Sequence, residues 1–265
     1  MKTSNDILKE SIEYLKYIKD YRKIDIYKEN ISIVEAEYGE ILKDAGLNDE
    51  IEQTIYIAEP KEPKLFSEDW EESKSLPELE SKINKCTKCR LGSTRKNFVF
   101  GAGNPSADVV VIGEAPGGDE DEKGIPFVGR AGKLLTDILE AIKFSREDVF
   151  ICNIIKCRPP ANRNPLPDEI KQCEPYLFKQ LKIINPSFIL CVGTFAAQTL
   201  LKTKEPLGKL RGKFFDYTVE GKSIKTLITY HPAALLRNPN WKRPTWEDVQ
   251  MFKKEYDKWK GLKNG

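Results

Sequence analysis

The sequence contains very little histidine and methionine and no long apolar run. Its 265 residues include one histidine and two methionines, and no segment approaches the roughly 18 uninterrupted apolar residues of a membrane-spanning helix. The first ten residues, MKTSNDILKE, lack the apolar centre of a secretory signal peptide. These absences predict a cytoplasmic protein without a membrane partner.

The same kind of absence excludes several enzyme sites. A zinc site of the HExxH type needs two histidines, and the chain has only His231. No GxSxG motif supplies the serine nucleophile of an α/β-hydrolase. The segment GRAGKL, at residues 129–134, has neither the spacing nor the hydroxyl residue of a nucleotide-binding phosphate loop. We therefore exclude these three kinds of site.

Charge is distributed unevenly along the chain. Residues 1–85 contain 13 Lys and Arg against 21 Asp and Glu, a net charge of −8, so the remainder carries +10. A basic region of this size is typical of proteins that bind a polyanion such as nucleic acid. Solvated surface charge gives the same totals, so a site is needed to decide between the two interpretations.

Cysteine is the most informative residue type that is present. The six cysteines are Cys86, Cys89, Cys152, Cys157, Cys173 and Cys191. Disulfides are rare in cytosolic proteins, so clustered cysteines indicate metal binding or catalysis. Cys86 and Cys89 form a CxxC turn, and fifteen residues separate Cys157 from Cys173. Four such thiolates suit an iron–sulfur cluster or Zn²⁺, and the missing second CxxC favours the cluster. The two other cysteines lie in apolar runs and are predicted to be buried and inert.

The chain is organised around a strand–loop–helix unit at residues 108–143. Valines and an isoleucine predict a buried strand that ends at Gly113, and an apolar pattern of helical spacing begins about twenty residues later. The loop between them is rich in glycine and proline and begins with Glu114. In open α/β sheets, ligands bind at this carboxyl end of the strands.

Further strands and helices alternate after this unit. Apolar runs at 148–155, 187–193 and 224–230 predict three more strands, and helical patterns at 168–184 and 194–201 separate most of them. This alternation predicts an α/β fold, a three-layer α/β/α sandwich with a four-stranded parallel sheet. A last helix at 245–259 is predicted to bury Trp246, Val249, Phe252, Tyr256 and Trp259.

The sequence divides into three parts. Residues 1–58 predict a mostly helical N-terminal extension of unknown role, which packs on its own chain or docks a protein partner. Residues 59–80 are acidic and contain prolines, as in a linker. Residues 81–265 form the predicted α/β domain.

Polar side chains lie near the carboxyl ends of three predicted strands, and the second of these strands runs through Asn153. Glu114, Asn153 and His231 lie near the carboxyl ends of the first, second and fourth strands. Because parallel strands share one edge at these ends, we expect the three side chains to converge on one pocket. The acidic run at 119–122 allows a second interpretation, a Mg²⁺ site of a nuclease, although such runs are more often solvated.

Five motifs, in order, resemble those of the type-4, iron–sulfur uracil-DNA glycosylases. They are GEAPGGDED, FVGRAG, ICNIIKCRPPANR, the spacing of four cysteines, and HPAALLRNP. The resemblance covers roughly residues 85–256 and says nothing about residues 1–80. It implies flipping of uracil out of DNA and hydrolysis of its N-glycosidic bond, which leaves an abasic site. It also implies a structural [4Fe–4S] cluster held by Cys86, Cys89, Cys157 and Cys173.

The resemblance also implies roles for residues of the pocket. Asn153 reads the edge of uracil, because its amide both donates and accepts a hydrogen bond. Phe127 stacks on the base. His231 donates a hydrogen bond to uracil O2 and so stabilises the anion that leaves.

The resemblance leaves the position of the attacking water open. Ala115, where type-1 glycosylases have an aspartate, and the neighbouring Pro116 line the pocket but offer only backbone groups. Glu114 is the first candidate to position water or stabilise the sugar cation, and Glu120 is the second. Gly117 stands where type-1 enzymes have a tyrosine that excludes thymine, so Glu120 or a narrow loop is expected to do so here.

The motif HPAALLRNP resembles the loop that enters DNA in this superfamily. Leu235 or Leu236 is expected to fill the gap left by the flipped base, and core packing is the alternative for both. Arg237 is expected to bind phosphate. The implied partner is uracil-containing DNA, single- or double-stranded.

Three alternatives stay open at this stage. One is the Mg²⁺-dependent nuclease. Another is a nucleic-acid-binding protein with a four-cysteine metal site and no catalysis. The third is a relative within the superfamily that acts on another deaminated base.

Overall fold

The structure is a computed structural model, and it describes residues 68–264. The predicted N-terminal extension, at 1–58, and its possible protein partner lie outside the described residues. So does the first part of the predicted linker. Within residues 68–264, no helix has both the length and the apolar character needed to cross a membrane.

Strands and helices alternate along the described chain. The strands are β1 (Ala102–Gly103), β2 (Val109–Gly113), β3 (Phe150–Asn153), β4 (Phe188–Val192), β5 (Phe214–Val219) and β6 (Lys222–Thr229). The helices are α1 (Leu76–Ile83), α2 (Gly118–Lys123), α3 (Arg130–Ala141), α4 (Pro167–Ile184), α5 (Thr194–Leu200), α6 (Leu207–Leu210), α7 (Pro232–Arg237) and α8 (Lys242–Asn264). Short 3₁₀ helices occur at Asp69–Glu72, Arg90–Ser93, Pro160–Asn162 and Pro239–Trp241.

The sheet has six strands in the order β1-β3-β2-β4-β6-β5. Its four middle strands, β3, β2, β4 and β6, pair in parallel and correspond to the four predicted strands. The outer strands β1 and β5 pair antiparallel with their neighbours. The expected number of four strands is therefore wrong, and the sheet is mixed rather than wholly parallel.

Both missed strands carry weak sequence signals. Strand β1 is only two residues long, and most residues of β5 are partly or fully exposed. A tight turn joins β5 to β6 through Glu220 and Gly221, which both have positive φ angles (47° and 83°). Two residues of this conformation are typical of hairpin turns, and the Glu-Gly pair was the available signal.

The sheet lies between two apolar cores, which gives the three layers. Val110 and Ile112 of β2 face a core that includes residues of α1, α4 and α5. Val109 and Val111 alternate to the opposite face and pack against residues of α3 and α8. This alternation follows from the two-residue period of a strand, and it buries β2 on both faces.

The folded domain begins before residue 81. In the described part of the predicted linker, 68–80, Trp70 is buried and packs edge-on against Tyr176, with ring centroids 4.8 Å apart. Helix α1 follows and buries Leu76 and Leu79 in the first core. Residues 68–80 are therefore part of the folded domain rather than of a linker, because their spaced apolar side chains pack on it.

The last helix, α8, extends beyond its predicted bounds of 245–259 at both ends. It begins at Lys242, and Thr245 lies inside it, where its hydroxyl donates to the carbonyl of Trp241 (2.7 Å). Val249 and Phe252 are buried as predicted, whereas Trp246 is 41% exposed. Trp246 is therefore not a core residue.

Candidate active site

A cleft of about 940 Å³ opens at the carboxyl edge of the parallel strands. The side chains predicted to converge there, Glu114, Asn153 and His231, all line it. Other predicted site residues that line the cleft are Ala115, Pro116, Glu120, Phe127 and Arg237. The structure thus brings together three chain segments that are more than a hundred residues apart at their extremes.

Asn153 offers an unused acceptor to this cleft. The residue ends β3 and is 2% exposed, and its Oδ1 is buried without a hydrogen-bond partner among the described residues. Burying such an atom unpaired costs about 1–3 kcal/mol. A Cβ on Gly113 would lie 2.5 Å from this oxygen, so glycine is required opposite it. The geometry is that of an amide held ready for a ligand.

The backbone of Asn153 is fixed by a buried lysine that the sequence did not reveal. Lys156 is 0% exposed, and its Nζ donates to the carbonyl of Asn153 (2.8 Å) and to Oε1 of Gln180 (2.6 Å). The backbone N–H of Lys156 donates to Sγ of Cys173 (3.3 Å). Asn153 and the cysteine region are therefore parts of one hydrogen-bonded unit.

Phe127 is held in a strained backbone conformation. Its φ is 52°, in the left-handed region that a bulky residue rarely adopts. Arg146 stabilises this turn, because Nη1 donates to the carbonyl of Phe127 (3.1 Å) and Nη2 to that of Pro126 (2.9 Å). The Phe127 ring lies 5.5 Å from the ring of His231, with an interplanar angle of 33°. Arg146 is a positioning residue that sequence reasoning missed.

His231 is a neutral hydrogen-bond donor. Its Nδ1 accepts from the backbone N–H of Ala233 (3.1 Å) at the start of α7. Burial and the nearby Arg237 lower the pKa of His231 to about 4. The imidazole is therefore neutral at pH 7, and because Nδ1 is the acceptor, we assign the proton to Nε2.

Glu114 and Glu120 occupy different environments. Burial raises the pKa of the Glu114 carboxyl, which is partly exposed at the cleft. Both oxygens of Glu120 accept backbone hydrogen bonds instead: Oε2 from Gly117 (3.0 Å), and Oε1 from Val128 (3.0 Å) and Gly129 (3.3 Å). Glu120 thus joins the two ends of the loop through its backbone hydrogen bonds.

The acidic run is partly structural and partly solvated, since Asp121 is buried whereas Asp119 and Glu122 are exposed. It forms most of α2, where Oδ1 of the buried Asp121 accepts from the backbone N–H groups of Lys96 (2.9 Å) and Asn97 (3.3 Å). Glu122 forms an ion pair with Lys96. Because these carboxylates have protein partners, the run gives no support to the Mg²⁺ nuclease.

Only one of the two candidate wedge leucines is exposed. Leu235 is 1% exposed, so the expectation that it enters DNA is corrected: it is a core residue. Leu236 is 37% exposed and is followed by the exposed Arg237 at the end of α7. Adjacent residues on a helix point about 100° apart, which separates the two leucines.

The four cysteines implied as ligands pack on one core. Tyr176 donates from its hydroxyl to Sγ of Cys86 (3.2 Å), and Arg95 Nη1 donates to Sγ of Cys157 (3.2 Å). Burial raises the pKa of Cys157 to about 11 and that of Cys173 to about 12. These two groups are therefore thiols unless a metal displaces their protons.

The surroundings of these cysteines suit thiolates that bind metal. Arg95 adds positive charge, and the hydrogen-bond donors of Arg95, Tyr176 and Lys156 point at sulfur, as is usual for metal-bound thiolates. Within residues 68–264, no three Cys, His, Asp or Glu side chains are grouped as for a single metal ion. Cys152 and Cys191 are buried in strands β3 and β4, as predicted.

Comparison with known proteins identifies the class. The family model described as "Uracil DNA glycosylase superfamily" matches residues 100–250, which include the cleft and all six strands of the sheet. The chain belongs to this superfamily.

Individual relatives narrow the assignment. A type-4 uracil-DNA glycosylase of Archaeoglobus fulgidus is 45% identical over 182 residues, which cover 67% of this chain and 92% of the relative. That of Saccharolobus solfataricus is 46% identical over 184 residues, or 68% and 85% of the two chains. A type-5 enzyme of Pyrobaculum aerophilum is only 29% identical over 163 residues, or 56% and 70%. Within the superfamily, the chain belongs to the type-4 uracil-DNA glycosylases.

Proposed function

We propose that this protein excises uracil from DNA, as a monofunctional base-excision repair glycosylase that leaves an abasic site. The observation that carries the proposal is the buried, unpartnered Oδ1 of Asn153 at the end of the cleft. A base in a duplex is inaccessible, so the nucleotide must be extruded into such a pocket.

Recognition of uracil follows from the amide of Asn153. The base donates from N3–H to Oδ1 and accepts at O4 from Nδ2. Cytosine has no proton on N3 and carries an amino group at position 4, so it leaves the same buried groups unpaired. Phe127 stacks on the base, and its ring position is fixed by Arg146.

Cleavage breaks the bond between N1 of uracil and C1′ of the sugar. The electron pair stays on the base, and the neutral His231 donates from Nε2 to O2, where negative charge develops. Water adds to C1′, and its proton passes to the Glu114 carboxylate and from there to the released uracil anion. Glu114 positions this water and stabilises the positive sugar, because its carboxylate is not used by backbone groups as that of Glu120 is.

Exclusion of thymine falls to Glu120 in this proposal. A Cβ on Gly117 would lie 2.7 Å from Oε2 of Glu120, so the carboxylate occupies the space into which a side chain from position 117 would project. A charged group held there by three backbone donors disfavours the methyl group of thymine.

Contact with DNA involves the end of α7. Leu236 enters the space left by the extruded base, and Arg237 binds a neighbouring phosphate. The net charge of +10 over residues 86–265 attracts the DNA backbone.

The cofactor proposed is a [4Fe–4S] cluster bound by Cys86, Cys89, Cys157 and Cys173. It would tie the CxxC turn to the segments after β3 and in α4, and supply no chemistry at the base. Purified protein should contain about four iron atoms per chain and absorb broadly in visible light. Stoichiometric zinc with no such absorbance would contradict the cluster.

The function is tested by base release from end-labelled oligonucleotides that carry one uracil, thymine or hypoxanthine. In EDTA, we expect strand breaks at uracil only, and only after alkali opens the abasic site. Breaks without alkali that need Mg²⁺ would indicate a nuclease. Release of hypoxanthine alone would indicate the relative that acts on another base, and binding without release would indicate a non-catalytic protein.

A further inference from the structure

Two aromatic rings stack at the rim of the cleft and have no role in the mechanism above. Tyr230 directly precedes His231, and Trp241 ends a 3₁₀ helix beyond α7. Their ring centroids are 4.8 Å apart, with an interplanar angle of 11°. Both residues line the cleft. Sequence reasoning singled out neither of them.

Arg211 supports the stacked rings from the Tyr230 side. The guanidinium of Arg211 lies 5.4 Å from the centroid of the Tyr230 ring. Arg211 is itself fixed by Asp248, with hydrogen bonds of 3.0 and 2.6 Å, and by the carbonyl of Pro244 (2.6 Å). Asp248 also accepts from the hydroxyl of Thr229 (2.7 Å). The rings are therefore preorganised by a network that reaches the end of β6.

Trp241 is exposed although one of its faces is covered. Tyr230 occupies one face of the indole, and 37% of the Trp241 surface is still accessible. Among the large apolar side chains exposed within residues 68–264, Trp241 is the one that lines the cleft. A fixed aromatic face in this position is suited to a flat, apolar ligand group.

Two cationic residues neighbour Trp241, one in the cleft and one in the sequence. Arg237 lines the same cleft, and Lys242 follows Trp241 directly and is exposed. An aromatic face beside cations that bind phosphate is the arrangement with which proteins hold single-stranded nucleic acid, because every base has a face that stacks.

We infer that Trp241 stacks on the base next to the extruded uracil in an unpaired DNA strand. The inference rests on the proposed function, since it places the uracil in the cleft. In a single strand, no partner strand holds the flanking base in a stack, so that base is free to lie on the Trp241 face. This assigns Trp241 as a binding residue for single-stranded uracil-containing DNA, in addition to the contacts that Leu236 and Arg237 make with a duplex.

The test compares Trp241→Ala with Trp246→Ala, a matched control because Trp246 is 41% exposed but does not line the cleft. Each variant is assayed on a uracil-containing single strand, and on the same strand with stable abasic analogues beside the uracil. On the natural strand, Trp241→Ala should lower kcat/KM by about 5- to 150-fold, the range for loss of one base stack. On the analogue strand, wild type should already be slow and Trp241→Ala no slower, and Trp246→Ala should match wild type on both.

Equal losses from Trp241→Ala on both strands would overturn the inference, because they would indicate support of His231 through Tyr230. No loss on the natural strand would overturn it too.

A binding measurement separates the inference from the proposed function. Fluorescence of wild type and of Trp246→Phe should be quenched by a uracil-free single strand, and that of Trp241→Phe should not. If DNA quenched the fluorescence of a wild-type protein that releases no uracil, the proposed function would be refuted, whereas the stacking of DNA bases on Trp241 would be supported.

Discussion

Replacement of His231 by alanine should lower kcat for uracil release by about 10²–10³, the usual effect of losing one preorganised donor to a developing anion. The donor is a neutral imidazole, because the pKa of His231 is lowered to about 4. The ratio of wild-type to variant rates should therefore stay constant between about pH 6 and 8, where an ordinary histidine changes charge. Single-turnover assays over this range measure both quantities.

His231 has a second role that needs a control. Its Nδ1 accepts the N–H of Ala233 at the start of α7, so alanine removes a helix cap as well. His231→Asn is the matched variant, because asparagine caps helices well but has no imidazole. We expect it to unfold at nearly the wild-type temperature and to be as slow as His231→Ala. Wild-type rates in His231→Asn would mean that His231 only caps the helix.

Among conservative substitutions near the cleft, Gly132→Ala should destabilise the domain most. Gly132 lies in α3, and a Cβ there would be 1.9 Å from the carbonyl oxygen of Phe127 and 2.0 Å from its carbon. These opposing atoms are backbone in a strained turn, so they have little freedom to move. We expect the free energy of unfolding to fall by about 3 kcal/mol, the upper part of the usual range for overpacking. Uracil release should also become slower, because the Phe127 ring is displaced.

The control for this substitution is a second helical glycine. Gly261 lies in α8, and a Cβ there would have no neighbour within 4 Å. Since alanine favours helix by up to about 1 kcal/mol over glycine, Gly261→Ala should leave stability unchanged or raise it. Urea unfolding of the two variants gives the comparison. Equal stabilities would show that the turn at Phe127 accommodates the methyl group.

Several features of the site could be predicted from the sequence. Glu114, Asn153 and His231 could be placed together because each lies at or near the carboxyl end of a strongly apolar strand, and these ends of parallel strands share one edge. That reasoning uses only local patterns and a general rule of topology. It is independent of how the loops between the strands are folded.

Other features depend on tertiary contacts that leave no local pattern. Arg146 and Lys156 act on carbonyls of the site from buried or partly buried positions, whereas charged residues usually indicate surface. The choice between Leu235 and Leu236 depended on the rotation of a six-residue helix, which two adjacent leucines cannot define. Trp70 was assigned to a linker because the acidic residues around it outweighed one apolar side chain.

The hydrogen bonds of Lys156 limit where the chain can change in length. The segment from Asn153 to Cys157 is fixed at one end by the pairing of Asn153 with Gly113 across β3 and β2, and near the other by the bond from Lys156 to Cys173. An insertion or deletion of even one residue there would rotate the amide or displace a thiol. The turn at Glu220 and Gly221 is exposed at the end of a hairpin, and its side-chain contact is an exposed ion pair between Glu220 and Lys182, so inserted residues are far more easily accommodated there.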